Sequence, residues 1–286
     1  MASTGEKNAI IGGTLYLVAT PIGNMSDISE RAKKVLSEVD FVAAEDTRNS
    51  GLMLSRLGIS KPMISYYEHN KAARGETIVS RLLSGESCAL ITDAGTPAIS
   101  DPGEDIVRLC AERNIPVTSI PGCCAAVTAL TLSSLCTRRF CFEGFLPVEK
   151  KERRERLDAL AGETRTMIFY EAPHKLRGTL DDLAGTFGGT RKVALCRELT
   201  KINEEVSRTT LGEAVETYAT REPRGEYVLV VDGAEKASDE YPEDIAEHVA
   251  MLEAAGLSRM DAIKAAAKAR GVKKNDIYAA VAKKDE

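Results

Sequence analysis

From Thr14 onward, short unbroken apolar runs alternate with stretches whose apolar positions recur every three or four residues. The runs at Thr14–Thr20, Phe41–Glu45, Met63–His69, Cys88–Thr92 and Val117–Ile120 read as strands buried on both faces. Helical spacing fills the gaps at Ile28–Val39, Arg48–Leu57, Ala72–Ser84 and Glu104–Arg113. Strands followed one by one by helices predict a mostly parallel sheet covered on both sides, an α/β architecture.

The second half has a different rhythm. A helix is predicted at Cys123–Ser133 and a strand at Phe140–Phe145, and the run Glu149–Arg156 is densely charged. Strands follow at Thr166–Glu171, Lys192–Arg197, Glu204–Leu211 and Glu226–Val231, with helices at Lys175–Phe187 and Glu213–Tyr218. Between 192 and 211 there is no room for a crossover helix, so those two strands pair antiparallel and the second sheet is mixed. Gly233–Glu240 turns polar, as a linker does. Beyond it Ser258-Arg259-Met260-Asp261 fits a helix-capping pattern, Gly271 a helix stop, and Lys273–Ala282 a second short helix. The resulting organisation is an N-terminal α/β domain at 13–122, a C-terminal α/β domain at 123–234, and a small basic helix-turn-helix-like tail at 240–286.

Composition narrows the function classes. Trp is absent, so the core is aliphatic. No Cys sits in a C-x-x-C pair and most lie in apolar runs, as reduced thiols of a cytosolic protein do. The His residues at 69, 174 and 248 are too scattered for a metal site. The start lacks the apolar core of a signal peptide, and no stretch approaches the roughly 20 apolar residues of a membrane span. Net charge is −5, so a nucleic-acid partner needs a local basic patch. Ser258 to Lys284 supplies one, with eight Lys or Arg against two Asp. A solvated helix face accounts for that excess equally well.

The candidate chemistry gathers at strand ends. Cys88–Ile91 opens into Thr92-Asp93-Ala94-Gly95-Thr96-Pro97-Ala98-Ile99-Ser100-Asp101-Pro102-Gly103, a loop stiffened by two prolines and opened to ligand approach by Gly95. Ligands of open α/β sheets bind at such carboxyl ends. Thr20-Pro21-Ile22-Gly23-Asn24 follows the first strand but is neither G-x-G-x-x-G nor a P-loop, which disfavours NAD and ATP. Glu45-Asp46 ends the second strand, either as working carboxylates or with Asp46 as a plain helix cap. Tyr67-Glu68-His69-Asn70 ends the third. Glu171-Ala172-Pro173-His174 and Arg197-Glu198-Leu199-Thr200-Lys201 close strands of the second half, as site residues or as ion pairs at a domain junction.

Taken in order, these words resemble the tetrapyrrole methylase superfamily, within it the branch that methylates a ribose of small-subunit ribosomal RNA. The matching words are Leu17–Asn24, Ala44–Arg48, Asp93–Gly103, Glu171–Leu176, Arg197–Lys201 and Gly225–Val230, and the likeness runs from Gly13 to about Gly233. One word departs: the family's Pro-Gly-Pro-Ser-Ala is here Pro121-Gly122-Cys123-Cys124-Ala125, a less rigid turn without the serine hydroxyl. The resemblance implies two α/β domains holding S-adenosylmethionine in the cleft between them, in a homodimer. By position, Pro21, Ala94, Gly95, Thr96, Ile99, Cys124, Ala125, Glu171 and Leu199 would meet the cofactor. It implies transfer of a methyl group to the ribose 2′-hydroxyl of a cytidine in the decoding region, on free RNA or the assembled small subunit. Asp46 is the first candidate for general base, Glu45 the alternate, and His69 the substrate orienter. Candidates to hold RNA are Arg48, Arg138, Arg139, the Lys150–Arg156 stretch, which reads equally well as a solvated amphipathic helix start, and the tail from Arg259 to Lys274. Two other readings stay open: a precorrin-type methyltransferase acting on a small planar substrate, and a non-enzymatic nucleic-acid-binding regulator.

Overall fold

A computed structural model describes residues 9–235 and 241–282, in two compact units that divide after Ala234. The first unit holds two five-stranded sheets. In the first sheet, β1 (Leu15–Val18), β2 (Phe41–Ala44), β3 (Met63–Ser65), β4 (Cys88–Ile91) and β5 (Val117–Ile120) lie in the order β3-β2-β4-β1-β5. All neighbours are parallel. Helices α1 (Glu30–Glu38) and α2 (Thr47–Arg56) bury Val35, Leu36 and Leu54 against one face, on Val18, Val42 and Ile91. Helices α3 (Lys71–Leu83) and α4 (Glu104–Glu112) cover the other, with Ile78, Leu82 and Ile106 on Leu15, Phe41 and Leu90. Successive strand residues thus point to opposite cores, which is why the strands read as continuous apolar runs.

β3 is shorter than the predicted Met63–His69. The Asn70 side chain accepts a hydrogen bond from the Tyr67 N–H at 2.9 Å and donates to the Ser65 carbonyl at 3.2 Å. This side-chain turn takes the backbone partners that another strand would have used and ends the ladder at Ser65.

The second sheet contains β6 (Phe140–Gly144), β7 (Thr166–Glu171), β8 (Lys192–Arg197), β9 (Glu205–Thr210) and β10 (Tyr227–Val231), in the order β6-β7-β10-β8-β9. Only β6 and β7 are parallel; β10 runs antiparallel to both of its neighbours, and β8 pairs antiparallel with β9 as its tight connection requires. Met167, Phe169, Leu195 and Leu229 pack under α6 (Lys150–Leu160), α7 (Leu176–Phe187) and α8 (Leu211–Thr220). Ile168, Ala194, Cys196 and Val230 face α5 (Ala125–Leu132) on the opposite side. The charged run at 149–156 supplies the N-cap, Glu149, and the first two turns of α6, whose inner face gives Leu157 and Leu160 to this core.

In the second unit, α9 (Ile245–Ala254), α10 (Arg259–Arg270) and α11 (Lys274–Ala282) enclose a small core of Val249, Ile263, Ala266 and Ile277. Ser258 caps α10 and Gly271 ends it in the left-handed conformation, as the sequence predicts. The predicted linker residues 236–240, and Lys283 and Lys284 of the basic tail, lie outside the described residues.

Candidate active site

Between the two sheets of the first unit lies a cavity of about 590 Å³, in the size range of small-ligand sites. The first sheet contributes the loops after β1, β2, β4 and β5 through Ile22, Glu45, the Asp93–Asp101 segment and Cys124-Ala125. The second sheet contributes Phe145 after β6, Tyr170 to His174 at the end of β7, Glu198, Leu199 and Lys201 after β8, and Glu226 to Val228 at the start of β10.

The loop after β4 is held rigidly. Thr20 and Gly95 exchange backbone hydrogen bonds of 2.9 and 3.0 Å, the Thr20 hydroxyl donates to the Thr92 carbonyl, and the Thr96 hydroxyl donates to the Cys123 carbonyl at 2.9 Å. Gly95 has φ of +85°, a conformation that a side-chain-bearing residue adopts only with strain. Ala98 and Ser100 in this loop, and Glu198 and Thr200 across the cavity, also have positive φ. Non-glycine residues held in that region concentrate where backbone shape serves a ligand.

The Pro121-Gly122-Cys123-Cys124 turn leads into α5. Cys124 is the N-cap of α5 and makes no side-chain cap bond. The Tyr170 hydroxyl, reaching over from β7, accepts from the Ala126 N–H at 3.1 Å. Burial pushes the Tyr170 hydroxyl up to about 12, so it stays neutral. Glu171 is buried; its carboxylate accepts from the Ala172 N–H at 2.8 Å and from the Thr179 hydroxyl.

One wall is acidic. Glu45, Asp93 and Asp101 all line the cavity. Burial, then the neighbouring Asp93 carboxylate, raises Glu45 above the usual carboxylate range. Burial, then Glu45 and Asp93, pushes Asp101 up to about 7. Among the described residues, no group of three or more His, Cys, Asp and Glu is arranged to hold a metal ion.

Every residue expected to meet the cofactor lines this cavity except Pro21, whose neighbour Ile22 does. The three expected to do chemistry are not brought together. Glu45 faces the cavity, whereas Asp46 caps α2 by accepting from the Arg48 N–H at 2.8 Å and pairs with the Arg48 guanidinium at 2.9 Å. Those hydrogen bonds, the side-chain one first, hold Asp46 down at about 2. His69 is exposed on the turn after β3, away from the lining. Sequence reasoning missed Asp101 and Asp93, although both stand in the loop it singled out, and it missed Phe145, Tyr170 and Val228, which read as ordinary strand residues.

A parallel sheet presenting its carboxyl ends to a mixed sheet across one rigid-walled cavity defines a two-lobed α/β protein built around a small ligand. Residues 14–215 match the family model for Tetrapyrrole (Corrin/Porphyrin) Methylases, and the chain belongs to that family, as its sequence words imply. It is 44% identical over 268 residues to ribosomal RNA small subunit methyltransferase I of Escherichia coli O157:H7, covering 93% of each chain. It is 46% identical over 274 residues to the protein of the same name from Halalkalibacterium halodurans, again covering 93% of each. Among solved structures, the fold is similar to uroporphyrin-III-C-methyltransferase from Thermus thermophilus (TM-score 0.56, 19% identity, 76% of this chain and 94% of that one). It is also similar to diphthine synthase (TM-score 0.59, 13% identity, 77% and 90%).

Proposed function

We propose that the protein transfers a methyl group from S-adenosylmethionine to the ribose 2′-hydroxyl of a cytidine in the decoding region of small-subunit ribosomal RNA. The observation that carries this reading is the 44% identity over 93% of both chains to a relative named for small-subunit ribosomal RNA methylation. The cavity fits the cofactor's chemistry. The acidic wall of Glu45, Asp93 and Asp101 suits a ligand bearing sulfonium and ammonium charges, and Ile22, Ile99, Leu199 and Val228 offer an apolar surface to an adenine. Ala94, Gly95, Thr96, Cys124, Ala125 and Glu171 complete its holding set, with Pro21 behind Ile22. When bound, the cofactor supplies an electrophilic methyl carbon whose leaving group is a neutral thioether.

The chain's own task is alignment and deprotonation. Fixed geometry is worth up to about 7–11 kcal/mol in such reactions, and the loop pinned by Thr20 and Thr96 provides it. Glu45 takes the proton of the ribose hydroxyl; its carboxylate faces the cavity and its raised proton affinity suits a base. Asp46, already spent on a helix cap and an ion pair, supports the strand end instead. The substrate is free RNA or the assembled subunit, and the protein works in the cytoplasm as a homodimer. The described residues include no helix long and apolar enough to cross a membrane.

The test is titration calorimetry with S-adenosylmethionine, followed by mass mapping of ribosomal RNA from cells lacking the protein. Cofactor binding together with loss of one methyl from a small-subunit cytidine is expected. Absence of cofactor binding would return the non-enzymatic regulator, and methylation of a precorrin in place of RNA would return the tetrapyrrole substrate.

A further inference from the structure

Next to the candidate active site lies a second cavity, about 680 Å³, that the reaction chemistry leaves unused. It is the furrow between α6 and α7. One wall is the face Lys150, Arg153, Arg154 and Leu157; the other is Lys175, Gly178, Thr179, Asp182 and Thr186. Both sets follow the three-and-four spacing of one helix stripe. His174 lines this furrow and the active-site cavity alike, so the two spaces meet there.

Three features give the furrow a chemistry. Its end beside His174 is cationic: Lys150 opens α6 and Lys175 is the N-cap of α7, both exposed, and neither makes an ion pair among the described residues. Arg153 and Arg154 follow one turn on, paired with Asp182 and Asp158, while the lining acids Asp181 and Asp182 lie farther along α7. Charge therefore rises toward the junction, on a chain whose net charge is −5. The furrow is also left open at Gly178 and Gly185, where a Cβ would meet no atom within 4 Å. Finally, the segment separating the two spaces carries Phe145 and Val148, 57% and 78% exposed, and Phe145 stands in the active-site lining. Cationic grooves flanked by exposed aromatic faces are how single-stranded nucleic acid is held, phosphates along the groove and bases on the rings.

We propose that the furrow between α6 and α7 holds the phosphate backbone of the RNA strand next to the target nucleotide, which enters the active site past Phe145 and His174. This rests on the reading of the protein as an RNA methyltransferase. The furrow is tied to the cofactor side: Arg153 donates to the Thr179 hydroxyl at 2.8 Å, and that hydroxyl donates to buried Glu171. Strand and cofactor therefore bear on one hydrogen-bonded chain.

The test measures binding of a fluorescein-labelled single-stranded RNA 20-mer to the full-length protein by anisotropy, across a salt series. Lys150→Gln/Lys175→Gln lowers affinity and flattens the slope of log K against log salt by about 1.4, roughly 0.7 for each phosphate no longer neutralised. Gly178→Leu, which favours the helix and fills the furrow, weakens binding without touching charge. Phe145→Ala weakens it roughly tenfold. Lys34→Gln, on an exposed and ion-paired lysine of α1, leaves it unchanged. Equal affinity and slope in the double variant and in Gly178→Leu overturn the furrow, as does failure of the unsubstituted protein to bind the RNA. Competition by polyglutamate as strong as by unlabelled RNA also overturns it, in favour of an acidic protein partner. Calorimetry with S-adenosylmethionine on the same samples separates the two ideas. Intact cofactor binding with an indifferent furrow sinks only this inference, whereas no cofactor binding by the unsubstituted protein sinks the functional reading beneath it.

Discussion

The two sheets reach the same cavity by different rules. In the first, all strands run one way, so their carboxyl ends gather on one side and four of the five following loops line the site; only the turn after β3 stays out. In the second, β10 runs against β7 and β8, so the cavity receives the carboxyl ends of those two strands and the amino end of the strand between them. A parallel sheet therefore writes its chemistry in one kind of place, just after each apolar run. A mixed sheet writes it at both ends of strands, where nothing in the local pattern marks it.

Both sheets belong to one compact unit, and core truncation tests whether they also unfold as one. Phe41 in β2 and Phe169 in β7 are wholly buried, in the cores of different sheets. Phe41→Ala and Phe169→Ala should each cost about 3–5 kcal/mol, read as a shifted midpoint in urea denaturation. One shared transition moved by either change is the expected result. Two transitions, each answering to only one substitution, would make the sheets independent domains, divided near the sequence boundary at residue 122.

That difference in rule also explains what was legible. The order of strands and helices, the parallel first sheet and the mixed second sheet all follow from apolar periodicity, because burial on two faces leaves a continuous run and a tight connection forces antiparallel pairing. The cavity-lining residues Ala94, Gly95, Thr96 and Ile99 were legible because turn-forming residues after a strand announce a loop. Glu226, Tyr227 and Val228 were not, since they begin a strand and read as its edge. The furrow between α6 and α7 was half legible. The charge of Lys150–Arg156 stands out in the chain, but the open floor at Gly178 depends on how two helices sit, which no local pattern carries. His69 misled for a related reason: a strand drawn through to residue 69 aims it at the cavity, whereas the Asn70 turn takes it away.

The parallel-sheet rule is sharpened at the end of β2, where adjacent carboxylates have opposite surroundings. Glu45→Gln should lower methyl-transfer turnover roughly 100-fold, the low end of what a general base supplies, with cofactor affinity little changed. Asp46→Ala should instead lower thermal stability slightly by removing the α2 cap and the Arg48 pair, and keep turnover within a few fold. Single-turnover assays with thermal melts on the same proteins decide it. Full turnover in Glu45→Gln and its loss in Asp46→Ala would hand the base role back to Asp46.

The smallest effect probes the acidic wall as a whole. Burial and two neighbouring carboxylates keep the Asp101 proton to about pH 7, where an unfolded chain has released it near 3.8. Between those values the folded protein binds the extra proton, so this group's contribution to stability is full below about 4 and declines as pH rises toward 7. Asp101→Asn removes that decline; its melting temperature, compared with the parent across pH 4.5 to 8, should gain most at the alkaline end. A cation bound against Glu45, Asp93 and Asp101 reverses the preference by favouring the ionised form, so binding expels the proton. Affinity for S-adenosylmethionine should therefore tighten up to roughly tenfold between pH 6 and 8 in the parent protein and stay nearly flat in Asp101→Asn. A parent affinity that weakens over the same interval would mean that the ligand's positive charge lies away from this wall, and that the carboxylates of the parallel sheet serve some other end.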